Sequence, residues 1–195
     1  MHNKVQTVVW EAQQWPGMEY LRLEERASEI IADGTVIMVE DNLPLRIHYT
    51  VRCNPGWAVR QVAVEVDGYA APRQRLTADG AGVWHKAPNT PLDHLAGCID
   101  VDIAATPFTN TLPIRRLGLQ PDESAEIEVA YITIPELSLS AARQRYTCLE
   151  MGQQGGRYRY ESLDSGFTAE LTVDANGLVI DYQELWKRRW PRQAA

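Results

Sequence analysis

The feature that most constrains the fold is an apolar alternation with a period of two. In LRIHYTVRC (45–53) every second residue is apolar, and FTAELTV (167–173) repeats the pattern. Successive side chains of a strand point to opposite faces, so this alternation is typical of antiparallel strands with one buried face. Turn pairs such as Asp33-Gly34 and Asn176-Gly177 separate the runs. The pattern predicts an all-β fold, an antiparallel β-roll or incomplete barrel.

The two halves of the chain resemble each other. Residues 49–84 and 146–180 share a succession of apolar alternations and glycine turns, and Tyr49 aligns with Tyr146 at an offset of 146 − 49 = 97 residues. A repeated supersecondary pattern indicates a repeated structural unit. The alternative is that alternating strands resemble one another by chance.

The alignment extends towards the N-terminus, where WPGMEYLRL (15–23) matches TLPIRRLGL (111–119). The sequence therefore predicts a single domain, residues 1–195, built from two similar halves, approximately 15–98 and 111–182.

Helix is expected only in short segments. Residues 18–40 contain good helix formers, but the aligned second-half segment contains Gly118 and Pro121, which oppose a helix, so 18–40 is predicted as strands. Helix is predicted for PLDHLAG (91–97) and for the tail YQELWKRRW (182–190).

The central motif GCIDVDIAATPFTNTLPIRRL (97–117) is the main candidate site. Asp100 and Asp102 lie two apart on a predicted strand, so their side chains share a face. They fit a structural pairing with Arg115 or Arg116, a solvated surface, or, less well, an acid–base pair or a hard-cation site. Losing one partner of a buried pair is costly, so the two arginines are expected to differ in importance.

The loop TPFTNTLP (106–113) is expected to be a stiff connection, because Thr and Asn side chains bond nearby backbone groups and proline restricts rotation. It is either a structural corner or a rim that presents Thr109 and Asn110 to a ligand. Both descriptions can hold together.

Arg115, Arg116, Glu19 and Trp15 complete the tentative ligand-binding set. Arg115 and Arg116 alternate, so one should point inward if this segment is a strand. The offset 19 + 96 = 115 aligns Glu19 with Arg115, which makes these two side chains candidates for a contact where the two halves join. Six tryptophans are expected mainly in the core, with one or two, such as Trp15, forming an apolar platform in a cavity.

Composition excludes several classes of protein. The net charge of -7 argues against nucleic-acid binding, and no segment has the roughly 20 apolar residues of a membrane span. The sequence has no CxxC pair among its three cysteines, Cys53, Cys98 and Cys148. Reduced thiols in a cytoplasmic protein are therefore predicted. No metal site, cofactor or catalytic motif is predicted, and the oligomeric state is left open.

The chain resembles a bacterial family described as putative glycolipid-binding proteins. WPGMEYLRL, the central motif and LTVDANGLVIDY (171–182) carry the resemblance. It implies a curved β-roll similar to the lipoprotein localisation factors that enclose acyl chains, and it supplies no catalytic residues.

Three functions follow as expectations. The first is a binding protein for an amphiphile such as a glycolipid, held in a β-roll cavity. The second is a sugar- or lipid-directed hydrolase that uses Asp100 and Asp102. The third is a structural or interaction protein without a ligand. Enzymatic activity is the less favoured reading, because no catalytic signature is present.

Overall fold

A computed structural model describes residues 3–68 and 72–191. The described residues form one sheet of fifteen strands, one short α-helix and two 3₁₀ turns. The strands are β1 Lys4–Ala12, β2 Gly17–Glu25, β3 Ile30–Glu40, β4 Leu43–Cys53, β5 Val59–Asp67, β6 Arg73–Ala78, β7 Trp84–Lys86, β8 Thr90–Pro91, β9 Asp100–Ile103, β10 Ser124–Ile132, β11 Leu139–Gly152, β12 Gly155–Ser162, β13 Thr168–Asp174, β14 Val179–Tyr182 and β15 Trp186–Trp190. The helix α1 is Thr111–Leu117, and the 3₁₀ turns are Asp93–Leu95 and Phe108–Asn110.

The strand order explains how the sheet curls. From β1 the chain meanders outward to β8 at one edge, crosses to β9 at the other edge, and meanders back until β15 pairs antiparallel with β1. The edge strands β8 and β9 do not pair with each other. Instead, the backbone N–H of Val59, at the start of β5, donates to the carbonyl of Ile99, just before β9, at 3.3 Å. The predicted all-β, open barrel-like fold is therefore confirmed.

The period-two pattern corresponds to the buried face of the strands. In β4 the side chains of Leu45, Ile47, Tyr49 and Val51 are all buried and their neighbours are more exposed. One predicted turn is wrong: Asp33-Gly34 lies inside β3. A Cβ on Gly34 would come within 2.2 Å of the Tyr49 ring, so glycine is needed here for a close approach rather than for a turn.

Residues 18–40 form β2 and β3 as predicted. The two predicted helices, however, differ from the structure. Residues 91–97 contain the 3₁₀ turn Asp93–Leu95 and no α-helix. The tail 182–190 consists of the last residue of β14, a turn over 183–185 and the strand β15, instead of a helix. An isolated nine-residue helix is marginal, whereas a strand here satisfies the free edge of β1, so tertiary pairing overrides local propensity.

Residues 111–117 form the helix α1, where a stiff connection over 106–113 and no helix were expected. Pro113 lies in the first turn, where a missing N–H costs no helical hydrogen bond. Gly118 adopts the left-handed conformation (φ 59°), and its N–H donates to the carbonyl of Ile114, which ends the helix. Gly118 was read as opposing a helix, whereas it marks where one stops.

The helix forms a plug inside the curled sheet. All residues from Ala105 to Ile114 are buried. This crossover also explains why β9 pairs parallel with β10 while the other strand pairs are antiparallel, since parallel neighbours need a long connection. The term "plug" is used below for residues 105–117.

The internal repeat stays a prediction. The strands β3–β7 and β10–β14 follow one another in the same order, and Tyr49 and Tyr146 are both buried on β4 and β11. The segment 15–23 is strand, however, while its aligned partner 111–119 is mostly helix, and residues 69–71 of the first half lie outside the described residues.

In the part of the chain that the structure describes, no helix is long and apolar enough to cross a membrane.

Candidate functional site

A cavity of about 650 Å³ opens at one end of the curled sheet, where β9, β10, β12 and β14 end and β11, β13 and β15 begin. Its volume lies within the range of small-molecule sites, about 300–1,000 Å³. Its lining mixes aromatic side chains with carboxylate, amide and hydroxyl groups. The lining includes Trp15, Asp102, Asn110, Tyr131, Ala142, Gln144, Tyr160, Asp164, Phe167, Tyr182 and Trp186.

Asp102 is the central polar group of the cavity. The Thr109 hydroxyl donates to its Oδ1 at 2.9 Å, and Gln144 Nε2 donates to its Oδ2 at 2.7 Å. Burial raises the pKa of Asp102, and these two hydrogen bonds oppose the rise. Each carboxylate oxygen has a second lone pair, so Asp102 can accept further hydrogen bonds from a ligand.

Aromatic rings form much of the remaining lining of the cavity. Tyr160 packs against Tyr182 and Phe167, each with ring centroids 6.2 Å apart, and Trp15 meets Trp186 edge-on at 5.7 Å. Burial raises the pKa of Tyr160 and Tyr182, and the nearby charge of Asp102 adds to the rise. Rings of this kind offer apolar faces with polar tips, which suits a sugar ring or an alkyl chain.

Asn110 lines the cavity but also anchors the plug. Its Oδ1 accepts from the Tyr146 hydroxyl at 2.9 Å, and its Nδ2 donates to the carbonyl of Pro107 at 3.1 Å. The structural and the ligand-facing readings of this loop are therefore compatible, because one amide proton remains for a ligand.

Asp100 lies apart from the cavity in a buried ion pair. Its side chain is fully buried, and Arg116 binds both oxygens, with Nη2 at 2.6 Å from Oδ2. The predicted pairing of a motif aspartate with a motif arginine is present. Burial raises the pKa of Asp100, and Arg116 opposes the rise. Asp102 lines the cavity and Asp100 does not, so the structure does not bring the two carboxyls together there.

Arg115 and Glu19 do not meet each other, contrary to the alignment. Arg115 lies 3.7 Å from Glu25, donates to the carbonyl of Asn176 at 3.1 Å and covers the Trp57 ring at 4.9 Å. It leaves a helix rather than a strand, so alternation does not decide which arginine points inward.

Glu19 lies deep beside the plug. Its carboxyl is fully buried and accepts a hydrogen bond from the Tyr49 hydroxyl, which also contacts the Thr106 hydroxyl at 3.2 Å. Its Oε2 has no hydrogen-bond partner among the described residues. Burial raises the pKa of Glu19 to about 8. Neither Glu19 nor the two arginines line the cavity.

Sequence reasoning missed Gln144 and the cavity tyrosines. A signal for Gln144 exists, because it lies two residues before Tyr146 on a strand and so shares its buried face. A polar residue on a core face must find a partner, and Asp102 is that partner.

Comparisons with known proteins agree with the fold. The family described as "putative glycolipid-binding" matches residues 7–188. A crystal structure of a DUF1089 family protein from Pseudomonas aeruginosa is 37% identical, with a TM-score of 0.80, and the match covers 88% of this chain and 91% of that one. No curated protein matches the sequence. With a family match over nearly its whole length, the chain belongs to the putative glycolipid-binding family.

Proposed function

We propose that the protein binds an amphiphile with an uncharged polar head group, such as a glycolipid, in the cavity beside Asp102. The observation that carries the proposal is the cavity itself: about 650 Å³, open at one end of the sheet, with both hydrogen-bonding groups and aromatic rings in its lining. The family description supports a ligand of this class.

The charges of the lining favour an uncharged head. Among the described residues that line the cavity there is no Lys, Arg or His, and the ionisable carboxyls are those of Asp102 and Asp164. Asp164 is paired with Arg143 at 2.9 Å, which leaves Asp102 to meet the ligand. A phosphate or carboxylate head would face this carboxyl without a cation to pair with. Sugar hydroxyls can donate to it.

The hydrolase alternative has less support. A glycosidase of the common kind needs two carboxyl groups on either side of the bond that breaks. Asp102 has the raised pKa that suits a general acid, but both oxygens of Asp100 are held by Arg116. Incubating the protein with glycolipids and analysing the products tests this reading directly, since turnover abolished by Asp102→Asn would favour an enzyme.

A thermal-shift panel tests the binding proposal. Dodecyl maltoside, below its micelle concentration, should raise Tm, and maltose should have little effect, because the sugar alone buries little apolar surface. A ligand at 100 times its Kd stabilises the folded state by about 2.7 kcal/mol. For a chain of this size that corresponds to a rise of roughly 5–10 °C.

Asp102→Asn tests the role of the carboxylate in head-group recognition. The preference for dodecyl maltoside over a dodecyl polyoxyethylene ether of equal chain length should fall about tenfold, since a hydrogen bond to a charged group is worth about 1.5–3 kcal/mol. Asp33→Asn, which makes the same change at an exposed position on β3, should leave the preference unchanged. No Tm shift with any amphiphile would refute the proposal.

A further inference from the structure

A second, smaller cavity adjoins the first. It measures about 340 Å³ and shares Trp15 and Ala104 with the cavity beside Asp102. The rest of its lining is mainly apolar and includes Met38, Ala105 and Ile134. We call it the Trp15 groove.

The position of Trp15 between the two cavities is fixed by packing. The Trp15 and Trp186 rings meet edge-on, with centroids 5.7 Å apart and planes at 88°. A Cβ on Gly17 would lie 3.1 Å from the indole Cδ1 and Nε1, so glycine at 17 leaves the space that the indole occupies. Trp15 therefore borders both cavities from a defined place in the fold rather than as a free side chain at the rim.

We propose that the Trp15 groove binds the aliphatic chain of the ligand, while its polar head occupies the cavity beside Asp102. The inference rests on the proposed function and adds where each part of the ligand lies. The linings of the two cavities share Trp15 and Ala104 and differ in chemistry, since the larger cavity is lined by Asp102, Asn110 and Gln144, whereas Met38 and Ile134 line the smaller one. A single amphiphile with one chain is the molecule that matches this division.

The acidic rim of the groove narrows the chain's identity further. Glu40 and Asp41 line the groove. Burial raises the pKa of Glu40, and the negative charges of Asp41 and Glu136 add to the rise. An anionic chain end, such as a fatty-acid carboxylate, would meet repulsion at this rim. The rim therefore favours the chain of an uncharged amphiphile over that of a fatty acid.

Chain length provides a quantitative expectation. Each buried methylene contributes about fourfold in affinity, the equivalent of about 0.8 kcal/mol. Affinity should rise by this factor per methylene from octyl to longer maltosides and then stop rising, because a groove of 340 Å³ has a limited length.

Thiol protection locates the chain. Ile134→Cys places a thiol in the Trp15 groove, Ala142→Cys places one in the cavity beside Asp102, and Val5→Cys places one at an exposed site that lines neither. The natural thiols leave a low background: all three cysteines are buried, and burial raises the pKa of each. The probe is dodecyl maltoside below its micelle concentration, and the readout is the rate of labelling by iodoacetamide.

The expected result is that dodecyl maltoside slows labelling of Ile134→Cys and Ala142→Cys at least tenfold and leaves Val5→Cys unchanged. Protection of Ala142→Cys with free labelling of Ile134→Cys would overturn the inference while leaving the proposed function in place. Loss of protection at both sites, together with no Tm shift of the unmodified protein, would overturn both. If Ile134→Cys does not fold, the maltoside chain-length series on the natural protein tests the inference instead. An affinity that rises with every added methylene and reaches no plateau would overturn it.

Discussion

Replacing Glu19 with glutamine should remove a pH dependence from the stability of the fold. Glu19 is fully buried, its Oε1 accepts from the Tyr49 hydroxyl, and its Oε2 has no hydrogen-bond partner among the described residues. Burial raises its pKa from 4.5 to about 8, so the carboxyl is protonated in the folded protein at neutral pH. Glutamine has nearly the same shape and stays neutral at every pH.

Proton linkage gives the direction and the size of this change in the free energy of unfolding. Below pH 4.5 Glu19 is protonated in both states, so it adds no pH dependence. Between pH 4.5 and about 8 the unfolded chain ionises while the folded protein keeps its proton, so the free energy of unfolding falls by about 1.4 kcal/mol per pH unit. At pH 7 the accumulated loss is (7 − 4.5) × 1.36, or about 3 kcal/mol. Glu19→Gln should therefore match the natural protein near pH 4.5 and exceed its stability by about 3 kcal/mol at pH 7.

Urea unfolding at several pH values between 5 and 8 measures this effect. The difference in free energy of unfolding between Glu19→Gln and the natural protein should rise with pH. Glu128→Gln makes the same change at an exposed position on β10, and its difference should stay flat. A Glu19→Gln difference that is also flat across this range would show that Glu19 ionises in the folded state, and the reasoning from burial would fail.

Two further predictions concern the plug and its surroundings. Arg116→Met should lower the free energy of unfolding in urea by about 3–5 kcal/mol, because it leaves the buried carboxylate of Asp100 unpaired. Arg115→Met should lower it by about 1 kcal/mol, since the ion pair of Arg115 is longer and more exposed. Equal losses for the two variants would contradict this prediction. Gly34→Ala should lower the free energy of unfolding by at least about 1–3 kcal/mol, because the new Cβ clashes with the Tyr49 ring. Gly56→Ala, whose Cβ would meet only one side-chain oxygen at 3.4 Å, should be nearly neutral, and a fully stable Gly34→Ala variant would refute the argument.

The fold could be predicted from the sequence to the extent that local pattern decides it. Alternation in LRIHYTVRC gives strand and buried face together, and β4 has both as predicted. The same reasoning did not reveal the helix formed by TLPIRRL (111–117). This helix is buried around most of its surface, and such a helix has no amphipathic period in its sequence. The tail failed for a different reason, since its strand depends on pairing with β1, more than 170 residues away in sequence.

The site could be predicted only in part for a related reason. Asp102, Thr109 and Asn110 lie close together in sequence, and a polar cluster inside an apolar chain reveals them. Gln144 and Tyr160 reach the cavity through the register of β11 and β12, which no single stretch of sequence contains.

The polar residues of the plug specify its position. A helix that only filled space inside a curled sheet would be apolar, because buried polar groups cost free energy unless they are paired. Here the hydroxyls of Tyr49 and Tyr146 contact Thr106 and Asn110, so strands from both halves of the chain hold the plug. A network of this kind is stable in one arrangement and poor in others, which favours a single placement.

That single placement also sets the shape of the cavity. The tryptophans Trp10 and Trp84 fill other parts of the interior, and their indole N–H groups donate to the carbonyls of Val179 and Cys98 at 2.8 and 2.6 Å. At the open end of the curled sheet, the polar network ends at Asp102. Its carboxyl accepts hydrogen bonds from Thr109 of the plug and from Gln144 of β11. A ligand that bonds to Asp102 therefore acts on the same network that positions the plug, so binding and stability should change together.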